Sequence, residues 1–140
     1  DSYSEFVKDI DTILMGRNTY HQLITELSPN VWVYDDFITY VITHEKDVSS
    51  EKIIFVNKNP GDLIKKLKKQ NGKGIWVCGG ANIVQQLVNE NLIDIYYVTI
   101  IPTILGSGIR LFENGKDEVK LKLIHTQTYN GMIDLVYTRR

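Results

Sequence analysis

Twice along this chain an apolar run that reads as a buried strand ends in glycine and passes straight into a helix. The first case is Ile13-Leu14-Met15-Gly16-Arg17-Asn18-Thr19, and the second is Trp76-Val77-Cys78-Gly79-Gly80-Ala81-Asn82. A strand that is apolar at consecutive positions has both faces covered, which is the habit of parallel sheets with helices on either side. Right-handed crossovers between such strands bring both helix N-termini out on one edge of the sheet. There, unpaired N–H groups and the positive end of each helix dipole attract an anion, and glycine lets it approach the backbone. Arg17 adds a permanent cation with a bidentate fork for phosphate, and the Thr19 hydroxyl is placed to join it. Two such turns side by side suit a diphosphate or a dinucleotide lying across the strand C-termini.

Each turn taken alone has a plainer reading. A glycine at a strand-to-helix junction ordinarily just permits the turn, and Thr19 with Gln22 has capping-box spacing. No G-x-G-x-x-G follows a strand, and no Walker-type G-x-x-x-x-G-K-[ST] or G-x-S-x-G occurs. The pattern by itself specifies an anion or nucleotide site and no substrate. His21, His44 and His125 are scattered, without an i,i+4 partner or Cys–His spacing, so no metal site is expected. Cys78 is the single cysteine and reads as a small buried hydrophobe; a chain without an intrachain disulfide fits a reducing cytoplasm. Asp11 and Asp94 read as solvated strand entries, and Trp32 and Tyr34 as core packing.

The formal net charge of -1 provides neither a nucleic-acid footprint nor a polybasic membrane patch. No apolar run reaches the ~18 residues of a spanning helix, and DSYSEFVKDI at the N-terminus lacks the pattern of a signal peptide. Asp1 rather than Met at its head fits a processed or partial chain.

The length of 140 residues suits one domain, without repeats, linkers or low-complexity segments. Ser2 and Glu5 have capping-box spacing ahead of Phe6, Val7 and Ile10. Strands are predicted at 12–15, 39–43, 53–57, 74–78 and 94–102. A helix is predicted over 18–27 with Tyr20, Leu23, Ile24 and Leu27 inward, stopped by Ser28-Pro29-Asn30. Asn59 as N-cap, Pro60 at N1 and Asp62 at N3 open a second helix that buries Leu63, Ile64 and Leu67. Its lysines 65, 66, 68 and 69 face water and Gly72 terminates it. A third covers 81–89, with Ile83, Val84, Leu87 and Val88 apolar. At the C-terminus, strands at 119–129 and 132–139 flank Asn130-Gly131, the strongest short hairpin signal. The expected fold is a three-layer α/β architecture: a mixed, mostly parallel sheet flanked by helices, with a C-terminal antiparallel hairpin.

The segments DTILMGRNTY (11–20), IWVCGGANIVQQL (75–87) and IDIYYVTIIPTILGSGIRLF (93–112) together resemble the dihydrofolate-reductase-like family. The resemblance is strongest to the branch containing the reductase domain of the riboflavin-biosynthesis deaminase–reductase and its stand-alone relatives. It covers nearly the whole chain in order and implies an NADPH-dependent reductase. The substrate it implies is a small molecule, a pteridine or a ribosylaminopyrimidine. Gly16, Arg17, Asn18 and Thr19 would then hold NADPH phosphates, with Arg17 near the adenosine 2′-phosphate or the pyrophosphate. Thr43 and His44 would flank the adenosine half, while Gly79, Gly80, Ala81 and Asn82 would cradle the pyrophosphate across a cis Gly-Gly bond. Gly106 to Gly108 match a mobile loop bordering the active site; composition alone makes them a connecting loop. The family's opening strand and loop, of the type S-L-D-G-x-I-A beside nicotinamide and substrate, has no counterpart here. It would be central in the sheet, and without it the catalytic acid or base has no name. The rival reading is a non-catalytic, nucleotide-binding homodimer that has lost the substrate side.

Overall fold

The computed structural model describes residues 2–115 and 117–140. After helix α1 (Ser2–Val7), strands β1 (Ile10–Gly16), β2 (Ile38–Ile42), β3 (Ile53–Val56) and β4 (Gly74–Gly79) form a parallel sheet in the order β3-β2-β1-β4. The centre of β1 explains its unbroken apolar run. Ile13 and Met15 pack with Leu23, Phe37 and Val41 on one face, and Leu14 packs with Leu63, Ile64, Ile83 and Leu87 on the other. Helices therefore cover both faces, as consecutive buried residues in a strand require.

Helix α3 (Pro60–Lys68) begins as its sequence specifies: the Asn59 side chain accepts from the Asp62 N–H at 3.1 Å. Its Leu63 and Ile64 are buried and its lysines face solvent. Helix α4 spans Ala81–Asn89. The predicted helix over 18–27 is divided instead. Helix α2 covers Arg17–Gln22, and a π-helical turn follows over Leu23–Leu27. The wider i→i+5 turn moves later residues off the 3.6-residue register, so Leu23 is buried while Ile24 and Leu27 are exposed. The Ser2–Glu5 capping box falls on a serine side chain outside those described.

Strands β5 (Ile95–Ile100), β6 (Leu121–Tyr129) and β7 (Met132–Arg139) form an antiparallel sheet in the order β5-β7-β6. The hairpin turn has positive φ at both central residues, 50° at Asn130 and 77° at Gly131, the backbone that Asn-Gly favours. Inside this sheet the buried Asp134 carboxylate accepts from the Thr99 hydroxyl at 2.6 Å and the Tyr129 hydroxyl at 3.3 Å. Asp94 is the exposed entry to β5 that the sequence suggests, and it also joins helix α3 to β7 by pairing with Lys68 and Arg139, each at 2.8 Å. Asp11 accepts from the Lys73 N–H at 2.8 Å and so fixes the start of β4.

Ladder bonding does not pass from β4 to β5. Among the described residues β4 pairs with β1 and β5 with β7, and both strands line a cleft of ≈ 560 Å3 with Trp76, Val77, Tyr96 and Tyr97 on its walls.

Candidate nucleotide site

The two glycine turns meet at one point. In the parallel pairing of β1 with β4, Met15 lies opposite Gly79. A Cβ on Gly16 would sit 3.9 Å from both the Gly79 carbonyl oxygen and the Gly80 nitrogen, and 3.0 Å from Ile83 Cδ1. The Thr19 hydroxyl reaches over the same place, 3.8 Å from where a Cβ on Gly79 would lie and 3.9 Å from one on Gly80. Gly79 has φ +124°, a conformation that side chains rarely allow, and the Gly79–Gly80 peptide is cis. The backbone of both turns is thus bare and mutually adjacent.

Helix α4 starts at Gly80 without a side-chain cap, which leaves its first N–H groups for water or an anion. Ala81 is small and half-buried there, and the exposed Asn82 accepts from Gln86 Nε2 at 2.6 Å. The first turn is built differently from the expectation of two matched helix dipoles. Its α-helical part is only six residues long and opens on Arg17, with Asn18 exposed on the rim.

Arg17 is already engaged. Its Nη1 lies 2.7 Å from Glu45 Oε2 and 3.2 Å from Asp47 Oδ2, while its Nε is buried with no hydrogen-bond partner among the described residues. Neither acid was singled out in the sequence, where they stand 28 and 30 residues beyond Arg17. A signal existed: β2 is the parallel neighbour of β1 with Ile42 opposite Gly16, so residues just past Ile42 must arrive beside Arg17. The buried Thr43 donates its N–H to Val56 at 2.9 Å, and its hydroxyl oxygen accepts from the Glu45 N–H at 3.0 Å. The exposed His44 has Nδ1 3.0 Å from Asn57 Oδ1. All ten residues proposed from the sequence therefore lie at or just past the C-terminal ends of β1, β2 and β4 on one edge. The strand order places the glycines toward β4 and Arg17, Thr43 and His44 toward β2.

Trp32 and Tyr34 do pack in the core, in a chain of ring contacts linking Trp32 to Tyr34 at 5.7 Å and Tyr34 to Trp76 at 5.4 Å. Tyr34 also hydrogen-bonds the Cys78 thiol. Burial pushes Cys78 up from 9.0 to about 12, against the opposing Tyr34 hydrogen bond. Burial, with a smaller contribution from Cys78, pushes Tyr34 up from 10.0 to about 12. Both groups are neutral when protonated, and the unfolded chain releases these protons first as pH rises. Their contribution is whole below the unfolded value of 9.0 and is lost as pH climbs toward about 12. The urea midpoint is expected to fall above that lower limit, less so in Tyr34→Phe. Iodoacetamide at pH ~8 should alkylate native Cys78 about a hundredfold more slowly than the urea-unfolded chain.

Two other features stand apart from this edge. A second cleft, of ≈ 780 Å3, lies by Asn91, Asp94, Arg139 and Arg140 and touches neither glycine turn. The segment with Gly106 to Gly108 is irregular and exposed, and Leu111 and Phe112 beyond it reach the cleft between β4 and β5.

Residues 3–135 match the family model of the RibD C-terminal domain. The chain belongs to this family. RibD C-terminal domains are reductase domains, and membership suggests a reductase-like role in riboflavin biosynthesis. It is 36% identical over 140 residues to the uncharacterized protein YwjB of Bacillus subtilis (strain 168), covering 99% of this chain and 79% of that one. It is 32% identical over 145 residues to the uncharacterized protein YyaP of the same organism, covering 96% and 77%. A crystal structure from Shewanella sp. PV-4, of a protein provisionally named for riboflavin biosynthesis, superposes with TM-score 0.85 at 23% identity, over 99% of this chain and 79% of that one. That likeness shows the fold: a parallel sheet flanked by helices and a C-terminal antiparallel sheet. Among the described residues no helix is long and apolar enough to cross a membrane.

Proposed function

We propose that this RibD C-terminal domain is an active reductase that draws a hydride from a reduced nicotinamide dinucleotide. NADPH is the form the family suggests. One observation carries the reading: the bare Gly16 and Gly79-Gly80 turns lie side by side, with the Thr19 hydroxyl over them and an arginine next in the chain. The residues fit the pyrophosphate. Uncapped N–H groups at the start of α4 and the Thr19 hydroxyl bind its oxygens, and glycine keeps the surface clear for close approach. The orphaned Arg17 Nε is a further donor. The 2′-phosphate corner fits less well, because the Arg17 Nη1 already serves two carboxylates.

A bound reduced nicotinamide supplies the hydride, and the chain's own task is to hold and orient it. The acceptor, a small heterocycle or ribosylaminopyrimidine carbonyl or imine, would enter from the side of β4 away from β1. The lone cysteine and a diffusible nucleotide fit work in the cytoplasm. A non-catalytic homodimer that merely holds nucleotide is the second reading; the exposed Ile104, Leu105 and Ile109 favour a partner copy.

Thermal unfolding with and without each reduced nucleotide tests both readings, followed by loss of the nicotinamide absorbance with candidate acceptors. A saturating nucleotide should raise the melting temperature, as any ligand selective for the native state does. Stabilisation together with oxidation of nucleotide supports the reductase; stabilisation without turnover of any candidate acceptor supports the non-catalytic reading. No stabilisation by either nucleotide sinks both.

A further inference from the structure

We infer that Glu45 and Asp47 set the nucleotide choice of this site against a 2′-phosphate and in favour of the free 2′-hydroxyl. The inference rests on the dinucleotide reading above and departs from the NADPH expectation. On the dinucleotide reading, which sets Thr43 and His44 beside the adenosine half, the ligand runs from the glycine turns toward the end of β2, the neighbour of β1 in the order β3-β2-β1-β4. With its pyrophosphate on the glycines at the ends of β1 and β4, its adenosine ribose falls toward the end of β2. That is where Arg17, Glu45 and Asp47 are joined.

The charge balance at this corner is unfavourable for phosphate. One guanidinium faces two carboxylates, at 2.7 and 3.2 Å, and the intervening Lys46 is exposed to solvent. A phosphomonoester bears a charge of about −1.5 to −2 near neutrality. To use Arg17 Nη1 it must displace both carboxylates; the Glu45 side chain is 68% exposed and can turn outward, whereas Asp47, at 32%, is the more enclosed and stays beside the phosphate. A ribose 2′-hydroxyl has no such conflict. It donates to a carboxylate oxygen, the arrangement by which an acidic residue ordinarily selects the unphosphorylated nucleotide. Arg17 then acts as a positioning residue that holds the two acids at the ribose, and its buried Nε remains for a pyrophosphate or ribose oxygen.

Titration calorimetry with four probes tests this without turnover: NADH, NADPH, ADP-ribose and 2′-phospho-ADP-ribose. The unmodified protein should bind NADH and ADP-ribose about tenfold or more tightly than their 2′-phosphorylated counterparts. Glu45→Gln/Asp47→Asn should reverse the order, strengthening the phosphorylated pair about tenfold while weakening the others a fewfold, the amide carbonyls still accepting. The gain should shrink as salt is raised. Arg17→Ala should weaken NADPH most, because it removes the cation and keeps the acids. Tighter binding of NADPH than NADH by the unmodified protein, or an equal change in both for the double variant, overturns the inference and leaves the dinucleotide reading intact. Failure of all four probes to bind overturns the two together.

Discussion

Gly16→Ala is expected to lower the affinity for a reduced nicotinamide dinucleotide about a hundredfold, because charge-assisted hydrogen bonds of ~1.5–3 kcal/mol each are lost from the phosphates. The added methyl would lie 3.9 Å from the Gly80 nitrogen and the Gly79 oxygen, over the surface an anion must reach. The backbone itself raises no objection: Gly16 has φ −86° and ψ 168°, an extended conformation open to any residue. The one tight contact is with Ile83 Cδ1 at 3.0 Å, the far end of a flexible side chain. Stability should therefore fall by only about 1 kcal/mol, within the range for mild overpacking. Calorimetric titration with NADH and NADPH reads the affinity, and urea unfolding reads the stability. Adding Ile83→Val separates the two causes, since it relieves the contact and leaves the methyl over Gly80. If the double variant regains stability and still binds nucleotide poorly, the methyl blocks the anion directly. If it regains binding, displacement of α4 was responsible and Gly16 does not border the ligand.

The glycine turns were legible in the sequence because their determinants are local. A both-faces-buried strand, a glycine and a helix start lie within seven residues, and parallel pairing makes any two such turns share an edge. The Asn59-Pro60 start of α3 and the Asn130-Gly131 turn are local in the same sense, and both formed where expected. What escaped is what depends on contacts distant in sequence. The Arg17–Glu45 pair joins the ends of two neighbouring strands, and no spacing rule encodes it. The π-helical turn at Leu23–Leu27 replaced a regular continuation that apolar periodicity alone could not exclude. The antiparallel strands β5, β6 and β7 formed where the sequence predicts them, but their standing in a sheet of their own was not legible, because the break between β4 and β5 leaves no mark in either strand's composition.

Leu14→Ala is expected to destabilise the domain by about 2–5 kcal/mol, the range for truncating a fully buried leucine. Leu14 has no exposure and lies beneath both α3 and α4, against Leu63, Ile64, Ile83 and Leu87. Against a typical total of ~5–15 kcal/mol, that loss moves the urea midpoint far without changing the surface exposed on unfolding. Two companions establish that burial is the cause. Leu14→Met keeps most of the volume and should cost less than about 1.5 kcal/mol. Leu27→Ala removes the same side chain where it is 69% exposed and should stay within about 0.5 kcal/mol. Equal losses at positions 14 and 27 would contradict the packing described for β1. Because Leu14 supports α4 through Ile83 and Leu87, its truncation also loosens the element whose N-terminus borders the Gly79-Gly80 turn. Nucleotide affinity should then fall in Leu14→Ala and recover in Leu14→Met, whereas Gly16→Ala loses affinity with the core intact. A weakened site in the one variant and a blocked site in the other are thus told apart by whether stability and binding fall together.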